Sequence, residues 1–289
     1  MTDEAPPTTP RRPATARPRS DVPDPHVAPP TDEELATIER QQPEIAAQAG
    51  ARVFDDSERG VVWVRAPGRG LALNYAACIR WPADSAADRL AAFEDHLRSE
   101  EEWPVITVAE GVNQPVDLAE RLALAGWVRL AGERIMWTRH PPLVPHLDRG
   151  LRMEAVTPAT AIECVQIETA SFGLPPDQAS QRAERLASLV EAGKLRAFLL
   201  RLVREPVASA RLSGGSKVAA LNAINVAGRH RRRGYGRMIT AVAARAGLAT
   251  GHQLVWLSVD EANTPAVELY RSLGFEPAFP WSRWAAPAR

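Results

Sequence analysis

The stretch Val226–Arg237, VAGRHRRRGYGR, follows an apolar segment, Val218–Val226, and precedes residues whose apolar side chains recur at helical spacing. Gly234 and Gly236 allow the main chain to approach a ligand closely. The first N–H groups of the helix that follows have no intrahelical acceptor and lie at the positive end of the helix dipole. A strand, a glycine turn and a helix N-terminus in this order predict a pyrophosphate-binding cradle.

Arginines strengthen this prediction, since each is able to form charge-assisted hydrogen bonds with phosphate. They are Arg231, Arg232, Arg233 and Arg237. A glycine pair after a strand also occurs in dinucleotide-binding folds and ordinary tight turns, but the dinucleotide motif needs a third Gly where this chain has Ile239. A solvated basic turn remains an alternative. A nucleic-acid patch is disfavoured because Tyr235 is the single aromatic residue in the cluster.

Composition limits the classes of protein that fit. The 289 residues exceed the usual size of one core, and 35 basic residues balance 35 acidic ones, so neither nucleic acid nor an anionic membrane is expected as a partner. No apolar run approaches the roughly 20 residues that span a bilayer, and residues 1–7 do not resemble a secretory signal. We expect a cytoplasmic protein without a metal site. Cys78 and Cys164 are expected to be buried free thiols.

Pro-rich segments divide the chain into four parts. Residues 1–30 are expected to be a disordered tail, because they contain almost no large apolar side chains. A Pro-rich linker at 141–150 separates a domain at 31–140 from a domain at 151–289.

Periodicity and turn residues predict the elements of both domains. In the first domain they predict strands at 60–65 and 71–81 joined by a hairpin turn at 67–70, a helix at 84–99, a strand at 103–109, a helix at 117–125 and a strand at 127–137 with a turn near Gly132. In the second they predict a strand at 151–156 and helices at 158–170 and 177–193, with Thr157 and Asp177 as N-caps. Strands are predicted at 195–203, 207–212 and 218–226, with a helix after the turn that follows. The last two predicted elements are a strand at 254–259 and a helix that begins at Asn263 or Thr264 and ends at Gly274.

At this point the chain resembles the GNAT superfamily of N-acyltransferases, whose signature is Gln or Arg, two residues, Gly, one residue, and Gly or Ala. Arg231, Gly234 and Gly236 fit that signature. The second family block is matched within 263–275, NTPAVELYRSLGF. The resemblance covers residues 151–289. It implies an α/β (α+β) fold with two GNAT-like domains, each a mixed, mostly antiparallel sheet flanked by helices, of which the C-terminal one is complete.

The resemblance also implies a binding mode for acetyl-CoA, the acyl donor. The strand that ends at Val226 diverges from the strand that begins near Leu254, so that backbone groups of Asn225 and Val226 bind the pantetheine arm. The pyrophosphate contacts the main chain at 232–237, which includes Tyr235, and the side chain of Asn263.

Tyr270 holds the family position of the general acid that protonates the departing CoA thiolate. Periodicity alone would make it a core aromatic beside Leu269 and Leu273. The general base is not assigned: many relatives carry a Glu on the strand equivalent to Val218–Val226, which has none here, while Asp260 and Glu261 follow the next strand. An amine that arrives already neutral is another possibility.

The N-terminal domain resembles a degenerate second GNAT domain, since residues 104–137 repeat the order strand, helix, Gly-aromatic, strand of the C-terminal domain. Nothing in it matches the phosphate-binding turn, so we expect it to bind no CoA and to help enclose the acceptor. Phe172, Asn222 and Trp281 are the candidate acceptor-binding residues.

The sequence thus predicts an N-acetyltransferase that acts on a primary amine of a small molecule or peptide in a ternary complex, as a monomer or homodimer. Two alternatives remain: a non-catalytic acyl-CoA-binding regulatory module, and an acyl-CoA hydrolase or decarboxylase on the same fold.

Overall fold

The computed structural model describes residues 28–146, 150–215 and 217–288. Most of the predicted tail and part of the predicted linker therefore lie outside the described residues. No helix in the described ranges combines the length and the apolar character needed to cross a bilayer.

The N-terminal half of the described chain contains three helices and five strands. They are α1 Asp32–Gln48, β1 Arg52–Asp56, β2 Val61–Arg65, β3 Tyr75–Ala77, α2 Ala86–Ser99, β4 Val105–Ala109, α3 Leu118–Leu124 and β5 Val128–Thr138.

The C-terminal half contains, within the described ranges, four helices and six strands. They are β6 Leu151–Ala155, α4 Ala161–Phe172, α5 Ala179–Glu191, β7 Arg196–Leu202, β8 Glu205–Gly214, β9 Val218–Val226, α6 Tyr235–Ala249, β10 Leu254–Asp260, α7 Thr264–Ser272 and β11 Glu276–Ala285. The elements predicted here are confirmed, apart from their ends. Thr157 caps a short 3-10 turn ahead of α4, as predicted, whereas Asp177 lies inside a 3-10 turn and caps nothing.

All the strands join in one mixed, mostly antiparallel sheet in the order β1-β2-β3-β4-β11-β5-β10-β9-β8-β7-β6. The two halves of the chain exchange strands at its centre. β5, from the N-terminal half, pairs with β10 from Val255↔Thr138 to Asp260↔Glu133, and β11, the last strand of the chain, lies between β4 and β5. Neither half therefore completes its sheet without a strand from the other.

Helices cover both faces of the sheet, and strand alternation shows which residues each face buries. On β8, Ala208, Ala210 and Leu212 pack in the core that contains the apolar face of α6. The alternate residues of β8 point to the opposite face, where Arg211 contacts Glu168 of α4. α1 covers this second face at the centre of the sheet, where Ile38 packs with Trp137 and Trp256.

Helix α1 was not predicted. Its sequence does carry a start signal, because Thr31 and Glu34 form a capping box. The Pro-rich surroundings and Pro43 inside the helix obscure that signal. Gln41 fixes α1 to the C-terminal half: its Nε2 donates to the Val218 carbonyl at 3.0 Å and its Oε1 accepts from Trp256 Nε1 at 2.6 Å.

Three other local predictions in the N-terminal half were wrong. The strand β1 was missed, and the strand predicted at 71–81 is reduced to Tyr75–Ala77 because residues 71–73 form a 3-10 turn. The turn predicted near Gly132 does not exist, since β5 runs through this glycine without interruption. The side chains of Arg129 and Glu261 pass over this glycine: a Cβ here would lie 2.2 Å from Arg129 Nη2 and 2.5 Å from Glu261 Oε1, so both side-chain ends would have to shift.

Candidate active site

A gap opens between the two parallel strands at the centre of the C-terminal half. β9 and β10 pair from Val218↔Leu254 to Ala220↔Trp256, and no pairing follows. Beyond this point β9 stays with β8 as far as Val226, and β10 stays with β5 as far as Asp260. The divergence expected for these strands is therefore observed.

A bulge in β9 shapes one wall of the gap. Between Asn222 and Asn225, two residues of β9 oppose the single residue of β8 between Arg211 and Ser209, and Ala223 takes a left-handed conformation with φ of +48°. The side chain of Asn225 is buried, and its amide donates to the Ala223 carbonyl at 2.8 Å.

The hydrogen-bond pattern between β8 and β9 shows which peptide groups of β9 face the gap. The Ala227 N–H donates to the Val207 carbonyl at 2.9 Å, which makes Ala208↔Val226 a non-hydrogen-bonded pair. The N–H and C=O of Val226 consequently point away from β8, on the side of the gap, and the C=O accepts a hydrogen bond from Arg231 Nε at 3.4 Å. By the same alternation the peptide groups of Asn225 point to β8.

The turn that follows β9 leaves a helix N-terminus open. Gly234 precedes α6 with φ of +83°, a conformation that favours glycine, and offers no side-chain cap. The first hydrogen bond of the helix runs from the Met238 N–H to the Gly234 carbonyl at 3.1 Å, so the N–H groups of Tyr235, Gly236 and Arg237 have no acceptor within the helix. A Cβ built on Gly234 meets no atom of the described residues within 4 Å, so these residues leave the space in front of the turn free.

Gly236 places the end of β9 next to the turn. A Cβ there would lie 3.6 Å from Val226 Cγ2 and 3.5 Å from Leu269 Cδ1, which is ordinary van der Waals contact. The helix start, the gap-facing residue of β9 and α7 therefore meet at this glycine.

The charges of the turn divide into two groups. Arg229 and His230 bind Glu205 of β8, with Arg229 Nε and His230 Nε2 at 2.9 Å and 2.6 Å from its Oε1, and these bonds lower the pKa of Glu205, the one from Arg229 most. This contact anchors the turn to the β7–β8 hairpin. The side chains at 231–233 are exposed and form no ion pair with any residue that the structure describes.

Arg237 is half-buried, and its guanidinium donates to Ser272 Oγ of α7. The open N–H groups, the free space and the unpaired guanidinium groups together suit a pyrophosphate group.

Tyr270 lies on α7 with 8% of its surface exposed, and its ring packs 6.1 Å from that of Phe275. Burial raises the pKa of Tyr270 to about 12, so the hydroxyl stays protonated near neutral pH. Within the described part of the chain no group hydrogen-bonds this hydroxyl, which leaves it able to donate.

Asn263 is exposed and is the N-cap of α7, where its side-chain oxygen accepts from the Ala266 N–H at 3.3 Å. Its amide N–H groups remain available to a ligand.

The two carboxylates considered as bases are both engaged elsewhere. Asp260 Oδ1 accepts from the Ala262 N–H at 2.8 Å. Glu261 accepts two hydrogen bonds from Arg129, at 2.6 and 2.9 Å, and these bonds lower its pKa. Arg129 belongs to β5, so the exchanged strand supplies a residue at the rim of the gap.

A polar cluster that the sequence analysis missed lies on the opposite face of β8 and β9 from α6. Glu168 of α4 is 5% exposed and binds Arg211 of β8 through two hydrogen bonds, at 2.7 and 2.5 Å. Asn222 is the register partner of Arg211, and its amide donates to Ser213 Oγ at 3.2 Å. The alternation of Ser209, Arg211 and Ser213 with apolar residues was the available sequence signal for a polar buried face.

The structure separates the three candidate acceptor residues. Phe172, at the end of α4, is 58% exposed, and Asn222 lies on β9 near the gap. Trp281 lies on β11, which is three strand positions from β9 in the sheet. At about 4.8 Å between neighbouring strands, β11 and β9 are roughly 14 Å apart. The strand exchange causes this distance, because β5 and β10 lie between β9 and β11.

The mixed sheet with its diverging central strands has the GNAT fold, as likeness to solved structures shows. Residues 162–275 match the sequence model of the acetyltransferase (GNAT) family, and this segment is a GNAT domain. The curated proteins include no match to the chain.

Solved structures extend the likeness to most of the chain. A GCN5-related N-acetyltransferase from Kribbella flavida superposes with a TM-score of 0.67 at 19% identity, over 88% of this chain and 96% of its own. One from Sphaerobacter thermophilus gives 0.60 at 15% identity, over 90% and 96%. A tandem GNAT protein from the clavulanic acid biosynthesis pathway gives 0.58 at 17%, over 90% and 98%. At these identities the likeness concerns the fold, including the tandem arrangement.

Proposed function

We propose that this protein transfers an acetyl group from acetyl-CoA to a primary amine of a small molecule or peptide. The observation that carries the proposal is the juxtaposition of the β9–β10 gap with the open N-terminus of α6. When bound, acetyl-CoA supplies the acetyl group as a thioester.

In this proposal each group of the site has one task. The N–H groups from Arg232 to Arg237 and the guanidinium groups at 231–233 bind the pyrophosphate, and the amide of Asn263 adds a donor. The Val226 peptide group hydrogen-bonds the pantetheine arm, as a neighbouring strand would. Tyr270 holds a proton at its hydroxyl oxygen for the departing thiolate sulfur.

The acceptor enters on the face of the sheet that bears α1 and α4, between the two halves of the chain. Since β9 carries no carboxylate and both Asp260 and Glu261 are engaged, we propose that the amine is already neutral when it attacks. Its nitrogen bonds to the thioester carbon, the carbon–sulfur bond breaks as the sulfur takes the Tyr270 proton, and the proton that the nitrogen loses restores the tyrosine hydroxyl. Asn222 and Phe172 lie on the acceptor side in this proposal, while Trp281 is too far from the gap to contact the same small amine.

Binding of acetyl-CoA to the full chain, measured by calorimetry, tests the proposal. We expect micromolar binding that is lost in Gly234→Asp, because the new carboxylate would occupy the free space before the turn and repel the phosphates. Gly193→Asp is the matched control: Gly193 also has positive φ, at +66°, and open space around its Cβ position, but follows α5. Binding that is absent from the wild type, or equal in both variants, would refute the site.

Turnover then separates the alternatives. Acetyl-CoA binding without transfer to any amine of a broad panel would support the regulatory module. Release of free acetate without added amine would support the hydrolase. Release of carbon dioxide from an acyl-CoA that carries a second carboxylate would support the decarboxylase.

A further inference from the structure

A second cavity, of about 60 Å³, lies beyond β5 from the β9–β10 gap. It is enclosed by α1 and by the strands β3, β4, β11 and β5, on the face of the sheet that α1 covers. Tyr75, Glu133, Trp281 and Arg283 line it, and Gln42 of α1 closes it. The strand exchange creates this cavity, because β5 and β11 meet there.

Two buried donors in this cavity have no acceptor. Arg283 Nε and Gln42 Nε2 are shielded from solvent and make no hydrogen bond with the described part of the protein. Buried donors are almost always satisfied in native proteins, so two unsatisfied donors in one cavity point to a missing acceptor.

The guanidinium of Arg283 is held in place without being neutralised. Its Cζ lies 5.2 Å from the centroid of the Tyr75 ring, within the range of a cation–π contact. Among the described residues, no carboxylate lies within 4.0 Å of it. Its positive charge is thus fixed inside the cavity and available to an anion.

Glu133 gives the cavity a second charge. It is exposed on β5, it lines the cavity, and it forms no ion pair with any described residue. A cavity with a cationic interior and an anionic side chain at its exposed edge is complementary to a molecule that carries both charges.

We propose that this cavity binds a small zwitterionic amino acid, with its carboxylate on Arg283 and Gln42 and its ammonium group at Glu133. A guanidinium prefers a carboxylate partner because two N–H groups match two oxygens. The volume restricts the ligand to a small one, since pockets for larger organic ligands measure roughly 300 Å³ or more. The site does not depend on acetyl transfer, because none of its residues belongs to the proposed acetyl-CoA site.

Calorimetric titration of the full chain with three probes tests the proposal: glycine, acetate and methylammonium. We expect glycine to bind, acetate to bind more weakly, and methylammonium not to bind. Arg283→Gln should lower the affinity for glycine at least about tenfold, the typical effect of losing a charge-assisted hydrogen bond. Glu133→Gln should reduce glycine binding and should not weaken acetate binding, because it removes a negative charge that attracts the ammonium group and repels the carboxylate.

Two controls keep the experiment decisive. Arg204→Gln removes an exposed guanidinium from the β7–β8 turn and should leave glycine binding unchanged. Arg283→Lys retains the charge and should bind glycine better than Arg283→Gln, which distinguishes a lost ligand contact from a misfolded variant. Acetyl-CoA binding, measured on the same samples, should be unaffected.

No binding of glycine or acetate to the wild type would overturn the proposal and would assign the cavity to trapped water, for which roughly 10–15 Å³ per molecule suffices. Glycine binding that persists undiminished in Arg283→Gln would overturn it as well.

Discussion

The carboxylate of Glu168 on α4 and the guanidinium of Arg211 on β8 form a buried ion pair with hydrogen bonds of 2.7 and 2.5 Å. Both side chains are largely shielded from water. Removal of one partner therefore leaves the charge of the other buried without a partner. We expect Arg211→Met to lower the free energy of unfolding by about 3–5 kcal/mol, and the double variant Glu168→Leu/Arg211→Met to recover most of this loss.

Urea unfolding of the single and double variants measures both effects. The control is Arg152→Met, because Arg152 pairs with Glu154 on the surface and its loss should cost less than about 1 kcal/mol. Equal decreases in the free energy of unfolding for Arg211→Met and Arg152→Met would show that loss of a partner costs no more in the buried pair than in the surface pair.

Tyr270→Phe should reduce kcat by about 10²- to 10⁴-fold with the amine substrate, or roughly 3–5 kcal/mol of barrier, if its hydroxyl protonates the leaving thiolate. Affinity for acetyl-CoA should change little, because the ring still packs against Phe275. Tyr75→Phe removes an equally buried hydroxyl that is remote from the gap and should leave kcat near the wild-type value. A Tyr270→Phe enzyme with undiminished kcat and an intact fold would exclude this role.

Alkaline pH should destabilise the fold through the same tyrosine. Burial raises the pKa of both Tyr270 and Tyr75 to about 12, whereas an unfolded tyrosine ionises near 10. The folded state holds these protons more tightly, so this stability is fully present below about pH 10 and is lost as the pH rises through about 12.

The free energy of unfolding of the wild type should therefore fall between about pH 10 and about pH 12, and less steeply in Tyr270→Phe. Ultraviolet titration of the phenol groups gives a direct check, since the variant should lose one ionisation near pH 12. A Tyr270 that titrates near 10 in the folded protein would contradict the prediction.

The proposal that the acceptor amine enters neutral, without a protein general base, predicts how the rate of acetyl transfer depends on pH. If the amine enters neutral, kcat/KM should rise with pH until the acceptor's own amine pKa is reached, and acceptors of different basicity should shift the profile accordingly. Glu261→Gln and Asp260→Asn should leave that profile in place. A profile that is independent of the acceptor and lost in either variant would identify a protein base.

The strand exchange predicts that neither half functions alone. A fragment from Pro145 onward lacks β5, which leaves β10 with an unpaired edge and β11 without its two neighbours. Unpaired edge strands promote association with other chains, so the fragment should aggregate. Co-expression with residues 28–144 should restore a soluble complex that binds acetyl-CoA. A soluble, fully active fragment would show that the exchange is dispensable.

Local chemistry made much of the C-terminal half predictable from the sequence. The order of its strands and helices follows from periodicity, and the open start of α6 follows from Gly234 and Gly236, because short-range rules govern both. Asn263 at the cap of α7 and Tyr270 on its buried side were likewise available from spacing and family resemblance.

The sequence by itself determined most elements of the C-terminal half, the glycine turn before α6 and the match of residues 162–275 to the GNAT family. Tertiary structure alone decided that β5 and β11 exchange places, that Arg211 meets Glu168, and that Arg283 faces a cavity closed by Gln42. The physical reason is range: an apolar strand has the same pattern whichever strand it pairs with, and a polar residue on a strand gives no sign of which helix will cover it. Those choices depend on contacts between residues far apart in the chain, and they are made only when the whole sheet assembles.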